Sequence, residues 1–245
     1  MNSSKLIVAL DVDNAQKARE LVSALRGVVG MFKIGSQLFT AAGPALVREI
    51  VSSGERVFLD LKFHDIPNTV AAAGVEATRL GVSIFNLHAA GGSEMMRRTA
   101  GAVAECAEAE RLARPSVIAV TVLTSADAST LAEVAPGSTP AELVPRLALL
   151  AAANGMDGVV ASPQEITVIR TAVKQEGFII VTPGVRPAGA ELSDQKRVTT
   201  PREAIIAGAD YIVVGRPILA AADPVRAAHE IVAEMENGVA NSASL

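Results

Sequence analysis

The stretch "FLDLKFHDIPNT", Phe58 to Thr69, sets Asp60, Lys62 and Asp65 at the end of what otherwise reads as a buried strand. Asp60 and Lys62 are two positions apart, so on a regular strand their side chains share one side with Cα atoms roughly 6–7 Å apart. An ammonium beside a carboxylate keeps its proton. Lys62 therefore suits an acid and a fixed positive charge, whereas a Schiff base needs a neutral amine. Asp65 lies just past the strand, where Pro67 stiffens the turn and Asn68 or Thr69 can start the next helix. Taken alone, D-x-K-x-x-D reads equally well as an ion-pair network closing a rim; Asp11 and Lys33, each at the end of another apolar run, favour chemistry.

A second group lies near the far end. "IVVGRP" finishes an apolar run with Gly215 and Arg216; glycine lets backbone N–H groups approach phosphate oxygens, and an arginine fork matches them in pairs. The long stretch "TPGVRPAGAELSDQKRVTTP" carries Arg186, Gln195, Lys196 and Arg197, which suits a mobile lid over an anion. The fifth apolar run ends in Thr124 and Ser125. His64 and His88 read as supports of their loops, and His229 as a surface residue. The three histidines are too scattered for a zinc site, and no serine sits in a nucleophile elbow. A divalent metal between Asp60 and Asp65 would be repelled by Lys33 and Lys62, so no metal is expected.

Positioning these groups requires elements that end at one place. Eight short β-rich runs recur, "KLIVALDV", "MFKIG", "RVFLDLK", "VSIFNLHA", "SVIAVTVLT", "DGVVAS", "FIIVTPG" and "DYIVVG", each followed by a helix-like segment. After Asp13, a candidate cap with Gln16 three positions on, Ala18, Leu21, Val22 and Leu25 form one apolar face ending at Gly27. Leu143, Val144, Leu147, Leu150 and Ala151 do the same before Asn154 and Gly155. Eight βα units predict a (β/α)8 TIM barrel, whose C-terminal strand ends build the active site. The alternative, an open doubly wound sheet, would normally begin with a glycine-rich turn; here that turn is "DVDNAQ".

The whole chain is consistent with one such domain over residues 1–245, with the stretch from about 238 onward a flexible tail. Half of the 245 residues are hydrophobic, the formal charge is −4 and aromatic residues make up 3%, which leaves neither a basic stripe nor stacking platforms for nucleic acid. No signal-peptide pattern and no bilayer-length apolar run occurs, so the expected location is the cytoplasm. Cys106 has no disulfide partner and lacks a neighbouring histidine to activate it.

Taken together, "LIVALDVDN", "FKIGSQLF", "VFLDLKFHDIPNTV", "NLHAAGG", "VTVLTS", "TPGVRP" and "IVVGRPI" resemble the orotidine 5′-phosphate decarboxylase family, in its shorter bacterial form. The resemblance implies a homodimeric barrel that binds orotidine 5′-monophosphate and releases UMP and CO2 without a cofactor. It implies that Asp60 and Lys62 act in one subunit's site while Asp65 and Thr69 reach in from the partner. Asp11 and Lys33 would hold ribose hydroxyls, Thr124 and Ser125 the pyrimidine, and Gln195 would bridge base and phosphate. Arg186, the Gly215 backbone and Arg216 would grip the 5′-phosphate.

Loss of CO2 from C6 leaves charge on a carbon with no adjacent carbonyl, so the site itself must stabilise it; the Lys62 ammonium would do so and then protonate C6. Two rivals follow. Keto-gulonate 6-phosphate decarboxylases and hexulose phosphate synthases share D-x-K-x-x-D but use Mg2+ with an acid on the second strand, where this chain has Lys33. A silent barrel binding a nucleotide phosphate would need only the phosphate grip.

Overall fold

The computed structural model of the chain describes residues 2–187 and 199–236, together with the backbone of 237–242. Strands β1 (Leu6–Ala9), β2 (Met31–Gly35), β3 (Val57–Phe63), β4 (Ile84–His88), β5 (Ser116–Val120), β6 (Gly158–Val160), β7 (Ile179–Pro183) and β8 (Tyr211–Val214) pair in parallel in chain order and close through β8 and β1. All eight fall on the runs read from the sequence. Helices α1 (Ala15–Leu25), α2 (Ser36–Ser52), α3 (Pro67–Arg79), α4 (Gly92–Glu110), α5 (Ala128–Val134), α6 (Pro140–Ala153), α7 (Ile166–Ala172), α8 (Pro201–Ala207), α9 (Arg216–Leu219) and α10 (Pro224–Ser242) fill the connections.

The period-2 alternation of each strand sorts its side chains. One inward residue from every strand, Ile7, Met31, Phe58, Ile84, Ile118, Val160, Val181 and Val213, packs with Ala9 and Val120 in the barrel interior. The outward set, including Val8, Phe32, Leu59, Phe85 and Ile212, packs under helix residues such as Val22, Leu46, Met95 and Val144. Truncating the fully buried Phe85 to alanine would cost roughly 3–5 kcal/mol. β6 and β7 approach closely, and a Cβ on Gly158 would stand 2.2 Å from the Ile179 carbonyl oxygen. Only glycine lets these two strands approach so closely.

Local signals set the helix starts. The cap of α1 is Asn14, not Asp13: its side chain accepts from the Lys17 N–H at 3.0 Å, while Asp13 pairs with the Lys17 ammonium at 3.1 Å. An extended backbone at Asn14, φ −151° and ψ 159°, suits a cap. Pro67 opens α3 at the first-turn position where a missing N–H costs nothing, so the helix begins before Asn68 and Thr69. Within α2, Gly43 at φ 66° next to Pro44 makes a kink.

At the N-terminal rim one arrangement occurs twice. Asp157, just before β6, accepts from the Val117 N–H at 2.7 Å and pairs with Arg114 at 3.0 Å. Asp210, just before β8, accepts from the Ile180 N–H at 2.7 Å and pairs with Arg170 at 2.5 Å, while Arg170 also donates to the carbonyls of Phe178 and Gly208. No helix among the described residues is long and apolar enough to cross a membrane.

Candidate active site

Moving up the inward-facing rows of β1, β2 and β3, the residues turn from apolar to charged at the C-terminal ends. Ile7 and Ala9 lead to Asp11, Met31 leads to Lys33, and Phe58 leads to Asp60 and Lys62. Strand register brings them level, with Ala9 opposite Lys33 and Gly35 opposite Asp60. The result is a cavity of about 360 Å³ floored by Ala9, Phe58, Val160 and Val213.

Asp60 is the hub. Its Oδ1 accepts from Lys62 Nζ at 2.6 Å and from Asn86 Nδ2 at 2.7 Å, and its Oδ2 lies 3.3 Å from Lys33 Nζ. Lys33 also reaches Asp11 Oδ1 at 3.2 Å, so the charges alternate along Asp11, Lys33, Asp60 and Lys62. Burial pushes the Asp60 carboxyl up, but the charges of Lys33 and Lys62 and the hydrogen bonds from Lys62 and Asn86 together outweigh it and hold its pKa below the usual value. Asp60 is 9% exposed, so these attractions are poorly screened. With both oxygens held against ammonium groups, Asp60 is a poor ligand for a divalent cation. Among the described residues no group of three or more His, Cys, Asp or Glu gathers as a metal site.

Lys62 does not lie on a regular strand, which corrects the simple spacing argument. The pairing of β3 with β4 shifts between Leu59 and Phe63, and Lys62 takes a left-handed backbone, φ 53°. The ammonium still meets Asp60, but through a bulge rather than through plain alternation. The fully buried Asn86 on β4 supports this bulge, accepting from the Lys62 N–H at 2.8 Å. Sequence reasoning passed over Asn86; its signal was a lone carboxamide inside the apolar run "IFNLH".

The opposite wall carries two arginines and a glycine. Arg186, 9% exposed, follows β7, and its backbone N–H donates to the Thr199 carbonyl at 3.1 Å, tying together the two stems of the long connection. Gly215 and Arg216 follow β8, and both line the cavity with Arg186. Gly215 packs so close to the first strand that a Cβ would stand 3.3 Å from Asp11 Oδ2 and 3.4 Å from the Ala9 Cβ. Thr124 and Ser125 also line the cavity, though β5 ends at Val120 and both belong to the loop beyond it.

Asp65 and Thr69 are exposed and absent from this lining; Asp65 Oδ1 accepts from the Ile66 N–H at 2.6 Å. Gln195 lies outside the described residues, as do Lys196 and Arg197. The His64 and His88 rings stand 5.4 Å apart beside this loop. Burial depresses the His88 pKa, with the charges of His64 and Lys62 adding to the effect, so His88 favours its neutral form. The site thus combines an acid-held ammonium, an apolar floor and two arginines: it can hold a phosphorylated molecule and place a proton and a positive charge against a reacting atom.

Comparison with known proteins agrees with this geometry. The sequence model of the "Orotidine 5'-phosphate decarboxylase / HUMPS family" matches residues 4–231. The orotidine 5′-phosphate decarboxylase of Syntrophotalea carbinolica is 57% identical over 231 residues, covering 94% of each chain. That of Geobacter sulfurreducens is 56% identical over 234 residues, covering 96% of this chain and 97% of the relative. The crystal structure of orotidine 5′-phosphate decarboxylase from Lactobacillus acidophilus superposes with a TM-score of 0.82 at 36% identity, covering 94% of this chain and 98% of the other.

Proposed function

The chain belongs to the orotidine 5′-phosphate decarboxylase / HUMPS family, and from that membership we propose that it converts orotidine 5′-monophosphate to UMP and CO2 without a cofactor, using Lys62 as the proton donor. It is a carboxy-lyase of pyrimidine nucleotide synthesis, acting as a cytoplasmic homodimer folded as a single barrel domain. The observation that carries the chemistry is the Lys62 ammonium, held 2.6 Å from Asp60 at the edge of a cavity that also contains Arg186 and Arg216.

Breaking the bond from C6 to the carboxylate leaves its electron pair on C6. Lys62, paired with Asp60, supplies a preorganised positive charge where that pair develops, and this charge acts more strongly over an apolar floor than in water. The Lys62 N–H then protonates C6, and the resulting amine regains its proton from solvent. Lys33 and Asp11 hold the ribose hydroxyls, Thr124 and Ser125 face the pyrimidine, and Arg186, Gly215 and Arg216 hold the phosphate. Gln195 would bridge base and phosphate. Asp65 and Thr69, exposed and outside this chain's own cavity lining, would complete the partner's site.

The test is to mix the purified protein with orotidine 5′-monophosphate in EDTA and follow the orotate absorbance. Rapid loss with the wild type, and a rate lower by about 10³-fold or more in Lys62→Ala, is expected from removal of the main charge-stabilising group. An inactive wild type, or activity restored only by Mg2+, would overturn the reading.

A further inference from the structure

Across the mouth of the barrel, the four steps along β3 from Leu59 to Phe63 are matched by two along β4 from Phe85 to Leu87, so Asp60, Leu61 and Lys62 together oppose Asn86. A bulge of this kind leaves ladder groups without strand partners. Lys62 sits inside it at φ 53°, a conformation that a lysine keeps only when its surroundings enforce it. Asn86 supplies the missing partner. Its Oδ1 accepts from the Lys62 N–H at 2.8 Å while its Nδ2 donates to Asp60 Oδ1 at 2.7 Å. Because an N–H requires the carboxamide oxygen and a carboxylate requires its NH2 donor, the two partners fix which way the carboxamide points.

We propose that Asn86 is a positioning residue for the decarboxylation: one carboxamide clamps the Lys62 backbone and orients the Asp60 carboxylate, so that the Lys62 ammonium is aimed before substrate arrives. Asn86 does not line the cavity and is fully buried, so it acts through Lys62 and Asp60 rather than on substrate. The inference rests on the functional reading above. An apolar residue of similar size would fill the space yet leave the Lys62 N–H and one Asp60 contact unmet. A displacement of the ammonium by about 1 Å is enough to cost on the order of 100-fold in rate.

Asn86→Asp separates aiming from packing. The introduced carboxylate still accepts from the Lys62 N–H, but it has lost the donor and stands against Asp60; once protonated, it donates and accepts as the carboxamide does. The charged and titratable groups around it are Asp60 and Lys62 on β3, Lys33 on β2 through Asp60, and His88 two residues along β4. Activity of Asn86→Asp relative to wild type at the same pH is expected to rise by about tenfold or more from pH 8 to pH 5.5, as the extra proton restores the donor. Asn86→Ala is expected to lower kcat by about 10- to 100-fold while UMP affinity changes by less than about threefold. A pH-independent ratio for Asn86→Asp, or wild-type kcat in Asn86→Ala, would overturn the proposal.

Hydrogen exchange at the Lys62 amide gives a readout independent of turnover. It should quicken by about tenfold or more in Asn86→Ala relative to wild type, and unchanged exchange would sink the clamp. A wild type that leaves orotidine 5′-monophosphate untouched would count against the functional reading, while this exchange rate still decides whether Asn86 holds Lys62.

Discussion

Asp60 and Lys62 meet at 2.6 Å across backbone that has left regular strand geometry, with Lys62 at φ 53°. The contact is thus made by a bulge within β3 rather than by two neighbouring positions of a flat strand. Asp60 also faces Lys33 with its other oxygen, so one buried carboxylate sets the position of two ammonium groups.

Asp60→Asn should therefore affect stability as well as rate. The native Asp60 pKa lies below its ordinary 3.8 because the lysine charges and hydrogen bonds outweigh burial. Its stabilising contribution is complete above that ordinary value and is lost as pH falls through the lowered native one. Unfolding free energies of wild type and Asp60→Asn from urea titration should differ by about 1–3 kcal/mol at pH 7, and the gap should narrow below about pH 4. Parallel curves down to pH 3 would contradict this assignment.

Gly35→Ala tests how tightly the space around Lys33 and Asp11 is filled. The glycine has an ordinary extended backbone, φ −92° and ψ 178°, so alanine brings no conformational strain. Its Cβ would stand 3.2 Å from Lys33 Nζ and 3.8 Å from Asp11 Oδ1, forcing the ammonium to shift. The expected result is a fall of about threefold to tenfold in kcat/KM, with stability within about 0.5 kcal/mol of wild type. Unchanged kinetics would show that Lys33 has room to spare.

Arg216→Ala should reduce turnover as well as binding. The phosphate it would hold lies far from the reacting carbon, and binding energy there raises kcat when it is used to assemble the charged groups. Steady-state kinetics should show kcat falling along with kcat/KM; an increase confined to KM would mean that the phosphate serves only as an anchor.

Mixing Lys62→Ala and Asp65→Ala chains tests the assignment of Asp65 to the partner's site. Each variant alone should be nearly inactive. Random re-association should restore roughly a quarter of the wild-type rate, because half the dimers are mixed and each holds one intact site. Mixed dimers that form and stay inactive would return Asp65 to its own subunit.

The eight strands were legible because each is a short apolar run rich in β-branched residues, and the charged ends of three of them stand out against those runs. What the sequence left hidden depends on backbone shape. Alternation placed Lys62 beside Asp60, yet nothing in "LDLKF" signals the left-handed backbone or the shifted register that makes the contact. Asn86 was missed because its two partners lie on the neighbouring strand, more than twenty positions away. The α1 cap was read one residue early because Asp13 and Asn14 are both good caps, and the lysine at position 17 draws the acid into an ion pair. Thr124 and Ser125 were read as a strand end because the apolar run continues through Leu123, whereas the ladder stops at Val120.

The repeated pairs Arg114 with Asp157 and Arg170 with Asp210 fasten alternate strand starts at the rim opposite the charged mouth. These ties and the charged groups of the mouth are therefore separate sets of residues at opposite ends of the barrel. A protein divided in this way is a ready host for exchange: the segments between β5 and α6, or between β7 and α8, can be rebuilt for a different phosphorylated ligand while the opposite end continues to hold the staves together.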